Sequence, residues 1–244
     1  MTAVIEAVLF DLDDTLLDGD AAGEAGLRTL LARCPPAEPP LVWDAAVAAW
    51  DLAFREHFPP YLRGEITMAQ SRAARIRAWA DRLAVPLDAG SEATWFDWYL
   101  AGYEAAWARF GDVAACLDAL AGLRLGVITN GDGEQQRAKL TAIGLDGRFE
   151  TVIASGEAGF AKPDARIFRL AATALGVPLE RCLFIGDNYA GDALGAQAAG
   201  MRAVWLNRRG EPAPDGAVPQ IASLAELPGL ILAAAPESGG EPRL

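Results

Sequence analysis

The sequence predicts an α/β protein, a doubly wound parallel sheet with an all-helical domain inserted after its first strand. Three observations predict it. Short apolar runs rich in β-branched residues alternate with helical patterns through residues 110–228, the first run of the chain ends abruptly in carboxylates, and the interval from Leu17 to Arg109 shows helical periodicity without a convincing strand. The expected organisation is therefore a core made of residues 1–16 and 110–228, a helical insertion over 17–109 and a disordered tail over 229–244.

Residues 4–10 (VIEAVLF) form a short run, apolar but for Glu6 and rich in β-branched residues, as in a strand buried within a parallel sheet, and Asp11-Leu12-Asp13-Asp14 follow at once. In the insertion, Trp43, Val47, Trp50 and Phe54 fall at i, i+4, i+7 and i+11, and Trp95, Trp98, Tyr99 and Tyr103 make a comparable stripe. Six of the seven tryptophans lie there, at the spacing of a buried helix face rather than of an aromatic substrate box. The proline cluster from Cys34 to Pro40 separates the first helix from the second, and His57-Phe58-Pro59-Pro60 separates the second from the third. Strands follow at Leu123–Thr129, Thr151–Ala154, Cys182–Ile185 and Ala203–Leu206, with helices at 133–143, 164–175 and 189–199 between them. Past Pro228 the chain turns rich in Gly, Pro and Glu, a composition that does not hold a fold.

Composition excludes several classes. With 21 Lys+Arg against 33 Asp+Glu, the net charge of −12 repels phosphate backbones and anionic membranes, so neither nucleic acid nor membrane is an expected partner. The single histidine, His57, removes zinc motifs that need two. Cys34, Cys116 and Cys182 are far apart, without CxxC spacing, which fits a reducing, cytoplasmic setting. The N-terminus lacks a cationic region before its apolar run, and nowhere do 18 apolar residues run uninterrupted, so a soluble, unprocessed protein is expected. Only Lys139 and Lys162 are lysines in an otherwise arginine-based cation set, so each lysine is worth asking about. Arg63, Arg72, Arg75 and Arg77 would give the insertion a basic face for an acidic substrate, though a solvated surface explains them as well.

Four short segments carry chemistry. Asp11-x-Asp13-x-Thr15 puts two carboxylates in one loop at a strand end, where they either share a cation or divide the roles of nucleophile and acid/base; a polar helix start uses the same residues. Thr129-Asn130-Gly131-Asp132-Gly133 leads from a strand through a hydroxyl and a Gly-rich turn into a helix, which offers backbone N–H groups and the helix dipole to an anion or is only a helix start. It is not a dinucleotide fingerprint, because Gln136 stands where a third glycine would be. Lys162-Pro163-Asp164 either brings an ammonium to a strand-end site or carries an ordinary solvated lysine, with Pro163 expected in the first helical turn. Gly186-Asp187, with Asp192 five residues further on, supplies oxygen ligands of the kind Mg²⁺ takes, unless Asp187 merely caps a helix.

In this order, Asp11-x-Asp13-x-Thr15, Thr129-Asn130-Gly131, Lys162-Pro163-Asp164 and Gly186-Asp187-x₄-Asp192 resemble the four motifs of the haloacid dehalogenase (HAD) superfamily. The insertion matches the position of that family's helical C1 cap, as in its subfamily I phosphatases, and the rest its Rossmann-like core. Arg63-Gly64-Glu65-Ile66-Thr67 is faintly similar to a turn in nucleotidase-like and acylneuraminate phosphatase-like members. The resemblance implies a Mg²⁺-dependent phosphatase acting on a small phosphorylated metabolite. Asp11 would be the nucleophile that forms an aspartyl-phosphate, Asp13 the acid/base, and Thr129, Asn130, Gly131 and Lys162 the phosphate-binding set. Mg²⁺ would be held by Asp11, the Asp13 backbone carbonyl and Asp187, with Asp192 and Thr15 behind them. Two alternatives share the superfamily: a 2-haloacid dehalogenase, which lacks an acid at the position of Asp13, and a phosphomutase, which shares every core residue. A non-catalytic binding module is a third, against which the complete set of acids stands. Sugar phosphates, nucleoside 5′-monophosphates and phosphoglycolate are all open as substrates, and monomer and homodimer are both open as states.

Overall fold

The computed structural model describes residues 4–34, 40–214 and 216–233. Strand β1 (Ala7–Phe10) leads into helices α1 (Gly19–Leu31), α2 (Trp43–Leu62), α3 (Met68–Arg82) and α4 (Glu92–Ala105). Then come α5 (Val113–Ala119), β2 (Arg124–Thr129), α6 (Gly133–Ala142), β3 (Thr151–Ala154), α7 (Ser155–Ala158) and α8 (Ala165–Leu175). The chain continues through β4 (Cys182–Gly186), α9 (Gly195–Ala199), β5 (Arg202–Leu206), β6 (Gln220–Ile221) and α10 (Leu227–Ala233). The six strands form one parallel sheet in the order β3-β2-β1-β4-β5-β6.

The sheet is wound on both faces. Val8 and Phe10 of β1 pack with Val113 and Leu117 of α5, Leu140 of α6 and Leu227 of α10, while Ala7 and Leu9 point the other way into Phe168 and Leu175 of α8 and Ala196 of α9. Because β1 is covered on both sides it tolerates no polar residue until its end, which is why its apolar run is unbroken. Phe10 pairs with Val127 and with Ile185, so β1, β2 and β4 end together and Asp11, Thr129 and Gly186 share one edge of the sheet.

Helices α1–α4 pack around a separate apolar cluster that includes Leu27, Leu30, Trp50, Trp79, Trp95, Phe96 and Tyr99. Of the two stripes, Trp50, Trp95 and Tyr99 are buried in this cluster, Trp43, Val47, Trp98 and Tyr103 are partly buried against it, and Phe54 is 40% exposed and stacks on Phe58. Between this cluster and the sheet the chain passes twice in antiparallel neighbourhood: Asp18 N–H donates to Ala108 O at 2.9 Å, and Phe110 N–H to Leu16 O at 3.1 Å.

Several expected details are corrected. Helix α2 does not stop at His57–Pro60 but runs through both prolines to Leu62. Each proline gives up its own N–H bond, but the Pro59 and Pro60 carbonyls still accept from Arg63 N–H at 3.1 Å and Glu65 N–H at 2.9 Å, and the actual stop is Gly64 at φ +72°. Pro163 is outside α8, whose cap is the Asp164 side chain accepting from Arg166 N–H. Asp187 is no helix cap either: Asn188 accepts from Gly191 N–H and opens a wide π-type turn over Tyr189–Leu194. Helix α10 carries the order past Pro228 to Ala233, and the remainder of the expected tail lies outside the described residues. Of the four arginines, Arg63 and Arg77 pair with Glu65 and Glu92, whereas Arg75 is buried against the rings of Trp50, Phe54 and Phe96. They do not make one solvated face.

Candidate active site

Asp11 emerges from β1 with its N–H donating to Ile185 O at 2.8 Å, and its side chain is nearly buried. The buried ammonium of Lys162 bridges Asp11 Oδ1 and Asp192 Oδ1, the latter at 2.7 Å. Asp192 reaches this position from the π-type turn, and its Oδ2 accepts from Asn188 N–H at 3.1 Å. Gly186 makes room for it: a Cβ there would lie 2.2 Å from Asp192 Oδ2. Carboxylate oxygens of Asp11, Asp187 and Asp192 lie within 4.8 Å of one another.

Three acids against one ammonium leave the cluster short of positive charge. Burial, with the neighbouring acids adding to it, raises Asp187 to about 9. Burial and the charges of Asp192 and Asp13 outweigh Lys162 and raise Asp11 to about 7. Burial alone would lower Lys162, but Asp11 and Asp192 dominate and hold its ammonium above the ordinary lysine range. Close-set oxygen donors with excess negative charge fit a hard divalent cation such as Mg²⁺.

Asp13 points elsewhere. Its two oxygens accept from Lys139 Nζ at 2.7 and 2.9 Å, and Oδ2 also from Gln136 Nε2 at 3.1 Å. Gln136 donates in addition to Thr129 Oγ1 at 2.7 Å and to Asn130 O at 3.1 Å. Sequence reasoning marked Lys139 only as one of two lysines and Gln136 only as a missing glycine. The signal was their i, i+3 spacing on the helix after Thr129, which puts both on one face.

The rest of the expected phosphate set is brought to the same edge with its groups engaged. The Asn130 amide brackets the Lys162 backbone, accepting from its N–H at 2.9 Å and donating to its C=O at 3.1 Å. Gly131, at φ +148°, donates its N–H to Ser155 Oγ at 2.9 Å. Thr15 is fully buried, with its Oγ1 unpartnered and its carbonyl accepting from Arg208 at 3.0 Å. Tyr103 of α4 lies over Lys139, 5.4 Å from Nζ to the ring centre. Beside Asp187 opens a cleft of about 210 Å³, walled in part by Asp14, Asp18, Asp20, Arg208 and Arg209. Burial and the charge of Asp20 raise Asp14 there to about 6.

A model of haloacid dehalogenase-like hydrolases matches residues 5–200. The chain belongs to that family. Among HAD-like hydrolases it is 33% identical to the pyrimidine 5′-nucleotidase YjjG of Escherichia coli K12 over 175 residues, 70% of this chain and 76% of that one. It is 45% identical to a phosphoserine phosphatase of Thermus thermophilus over 100 residues, 41% of this chain, and the match spans 40% of that enzyme. It is 28% identical to an (S)-2-haloacid dehalogenase of Pseudomonas sp. YL over 91% of this chain and 94% of that one. The HAD hydrolase YfnB of Bacillus subtilis, solved bound to magnesium, superposes with a TM-score of 0.79 at 25% identity, covering 94% of this chain and 99% of that one. The protein is thus a HAD-like hydrolase with phosphatase relatives, and among its described residues no helix is long and apolar enough to cross a membrane.

Proposed function

We infer that this hydrolase is a Mg²⁺-dependent phosphatase that cleaves a small phosphomonoester through an aspartyl-phosphate on Asp11. The observation that carries the reading is the division of labour between two acids. Asp11 is buried in a cationic and acidic cluster, while Asp13, two residues on, is 34% exposed at its side chain and tied to a different lysine. A dehalogenase has no acid at the second position, so the presence and fixation of Asp13 favour phosphoryl transfer over attack on carbon. The dehalogenase relative matches nearly the full length, which makes halide release the necessary control.

An Asp11 carboxylate approaching a phosphate dianion meets like charges that cost about 4 kcal/mol each at 4 Å in an effective dielectric near 20. Lys162, fixed against Asp11 Oδ1, offsets part of this and lies where a phosphoryl oxygen would arrive. Asp11 and Asp187, with the Asp13 backbone carbonyl, would hold Mg²⁺, and Asp192, already bound to Lys162 and Asn188, would orient them from behind. A cation bound there supplies charge neutralisation at the transferring group. Thr129 would donate its hydroxyl to a phosphoryl oxygen, since its oxygen already accepts from Gln136. Asn130 acts by fixing the Lys162 backbone, and Gly131 by the shape of the turn, rather than by direct donation. Asp13 would protonate the leaving alcohol and then take the proton of the attacking water.

Residues 17–109 act in this reading as a cap over residues 1–16 and 110–228, excluding water and contacting the substrate. A cytoplasmic setting is consistent with three free cysteines. The test is hydrolysis of p-nitrophenyl phosphate with Mg²⁺, with EDTA and with Asp11→Asn, followed by a phosphomonoester panel headed by pyrimidine nucleoside monophosphates. Activity that needs both metal and Asp11 supports the reading. Halide release from a 2-haloacid without phosphatase activity overturns it.

A further inference from the structure

The chain buries both of its lysines, and each ends on one of the two acids of its first motif: Lys162 on Asp11 and Lys139 on Asp13. The use of Lys162 follows from the proposed phosphatase chemistry, but that of Lys139 does not. Its side chain is 5% exposed, although α6 could fill the same place with an apolar residue and avoid desolvating a charge. What the ammonium obtains is Asp13, whose two oxygens lie 2.7 and 2.9 Å from the one Nζ, so that the carboxylate faces the lysine squarely. Gln136, one turn earlier on the same face, adds a third contact to Asp13 and joins it to Thr129 Oγ1 and Asn130 O, the end of β2. Gly131 keeps this bridge open, because a Cβ there would lie 2.9 Å from Gln136 Nε2. Over the ammonium lies the ring of Tyr103, from the helices proposed as the cap.

We propose that Lys139 and Gln136 are positioning residues for Asp13. They set where its carboxylate stands relative to the Thr129 hydroxyl, and so deliver the acid to the leaving-group oxygen, with Tyr103 tying that placement to the helical layer above. This rests on the phosphatase reading, and its consequence is selective. An ester whose alcohol leaves poorly depends on a correctly placed acid, whereas p-nitrophenolate leaves with little proton assistance. A residue that only supports the fold would lower both alike.

The experiment is the kcat/KM of wild type, Lys139→Met and Gln136→Met on p-nitrophenyl phosphate and on ethyl phosphate, with Mg²⁺ and with folding checked by circular dichroism. This ratio covers the steps through departure of the alcohol. Positioned general acids contribute about 10²–10⁴-fold, so Lys139→Met is expected to lose at least tenfold more on the alkyl ester than on the aryl ester. Gln136→Met is expected to show the same bias more weakly, and Lys139→Arg to restore part of it. Equal losses on the two esters, or none, overturn the inference while leaving the phosphatase reading intact. If Lys139→Met does not fold, the Gln136→Met ratio decides by the same criterion. If the wild type does not cleave ethyl phosphate, the best alkyl ester of the phosphomonoester panel takes its place, and a wild type that cleaves no phosphomonoester overturns the phosphatase reading and this inference with it.

Discussion

Raising the pH from 6 to 8 is expected to tighten Mg²⁺ binding by about a thousandfold, roughly 4 kcal/mol, because the ion must displace protons from the acids that would hold it. In the metal-free protein, burial and mutual repulsion raise Asp11 to about 7 and Asp187 to about 9. Below the lower value two protons must leave for the ion to bind, and between the two values one must. Each displaced proton is worth about tenfold in affinity per pH unit, so the interval from 6 to 7 contributes about a hundredfold and that from 7 to 8 about tenfold. The two carboxylates titrate as a pair, so it is their combined release that is measured. The sign for stability follows. A carboxylate with a raised folded-state pKa keeps a proton that the unfolded chain has lost, so between the ordinary carboxylate range and the raised values the metal-free protein weakens as pH rises. Mg²⁺ should therefore stabilise it more at pH 8 than at pH 6. Isothermal titration at both values, in buffers of different ionisation enthalpy, counts the protons. Affinities within threefold of each other, with no proton release, would refute the reasoning.

Three further outcomes are expected. Lys162→Met leaves Asp11 and Asp192 buried without their cation, which should cost about 3–5 kcal/mol in metal-free chemical denaturation and be partly recovered by Mg²⁺; an unchanged midpoint would contradict the assignment of Lys162 as their counter-ion. Gly186→Ala places a methyl group 2.2 Å from Asp192 Oδ2, so about 1–3 kcal/mol of overpacking is expected together with loss of turnover, read from a melt and a p-nitrophenyl phosphate assay. Asp112→Asn breaks a carboxylate that accepts from Arg208, Ser223 Oγ and Leu224 N–H, at an expected cost of about 2 kcal/mol. Although burial opposes it, the Arg208 and Ser223 bonds hold Asp112 below the usual carboxylate range. Its contribution is present above the unfolded-state pKa and lost as pH falls through the folded one, so the wild type and variant should converge in acid melts.

The sheet was legible because a parallel strand covered on both faces admits only apolar residues, and the chain must turn polar where each strand ends. That constraint marks β1, β2, β4 and β5 and places Asp11, Thr129 and Asp187 at strand ends before any coordinate is known, while β3, a half-buried edge strand, shows as a short β-branched run. Strand β6, two residues long, carries no period to detect, and α2 outruns its prolines because each forfeits only its own N–H bond while its carbonyl still accepts from the chain beyond. The two acids of the first loop and the acid pair after β4 were legible too, since short local spacing ties them to strand ends, whereas the roles of Asp11 as nucleophile and Lys162 as phosphate ligand came from the resemblance to the HAD motifs. The sequence did not show which lysine meets which acid. Lys139 is 126 residues from Asp13, and Lys162 is 151 from Asp11. Nor did it show that the Asn130 amide and the Gly131 N–H are already engaged, or that Arg75 is buried under aromatic rings. Local sequence determines which groups stand at the end of each strand, because backbone hydrogen bonding and burial act over a few residues. Only the packing of α6 and α8 against the sheet decides the partners of those groups, because contacts between side chains so distant along the chain exist only once the layers have closed.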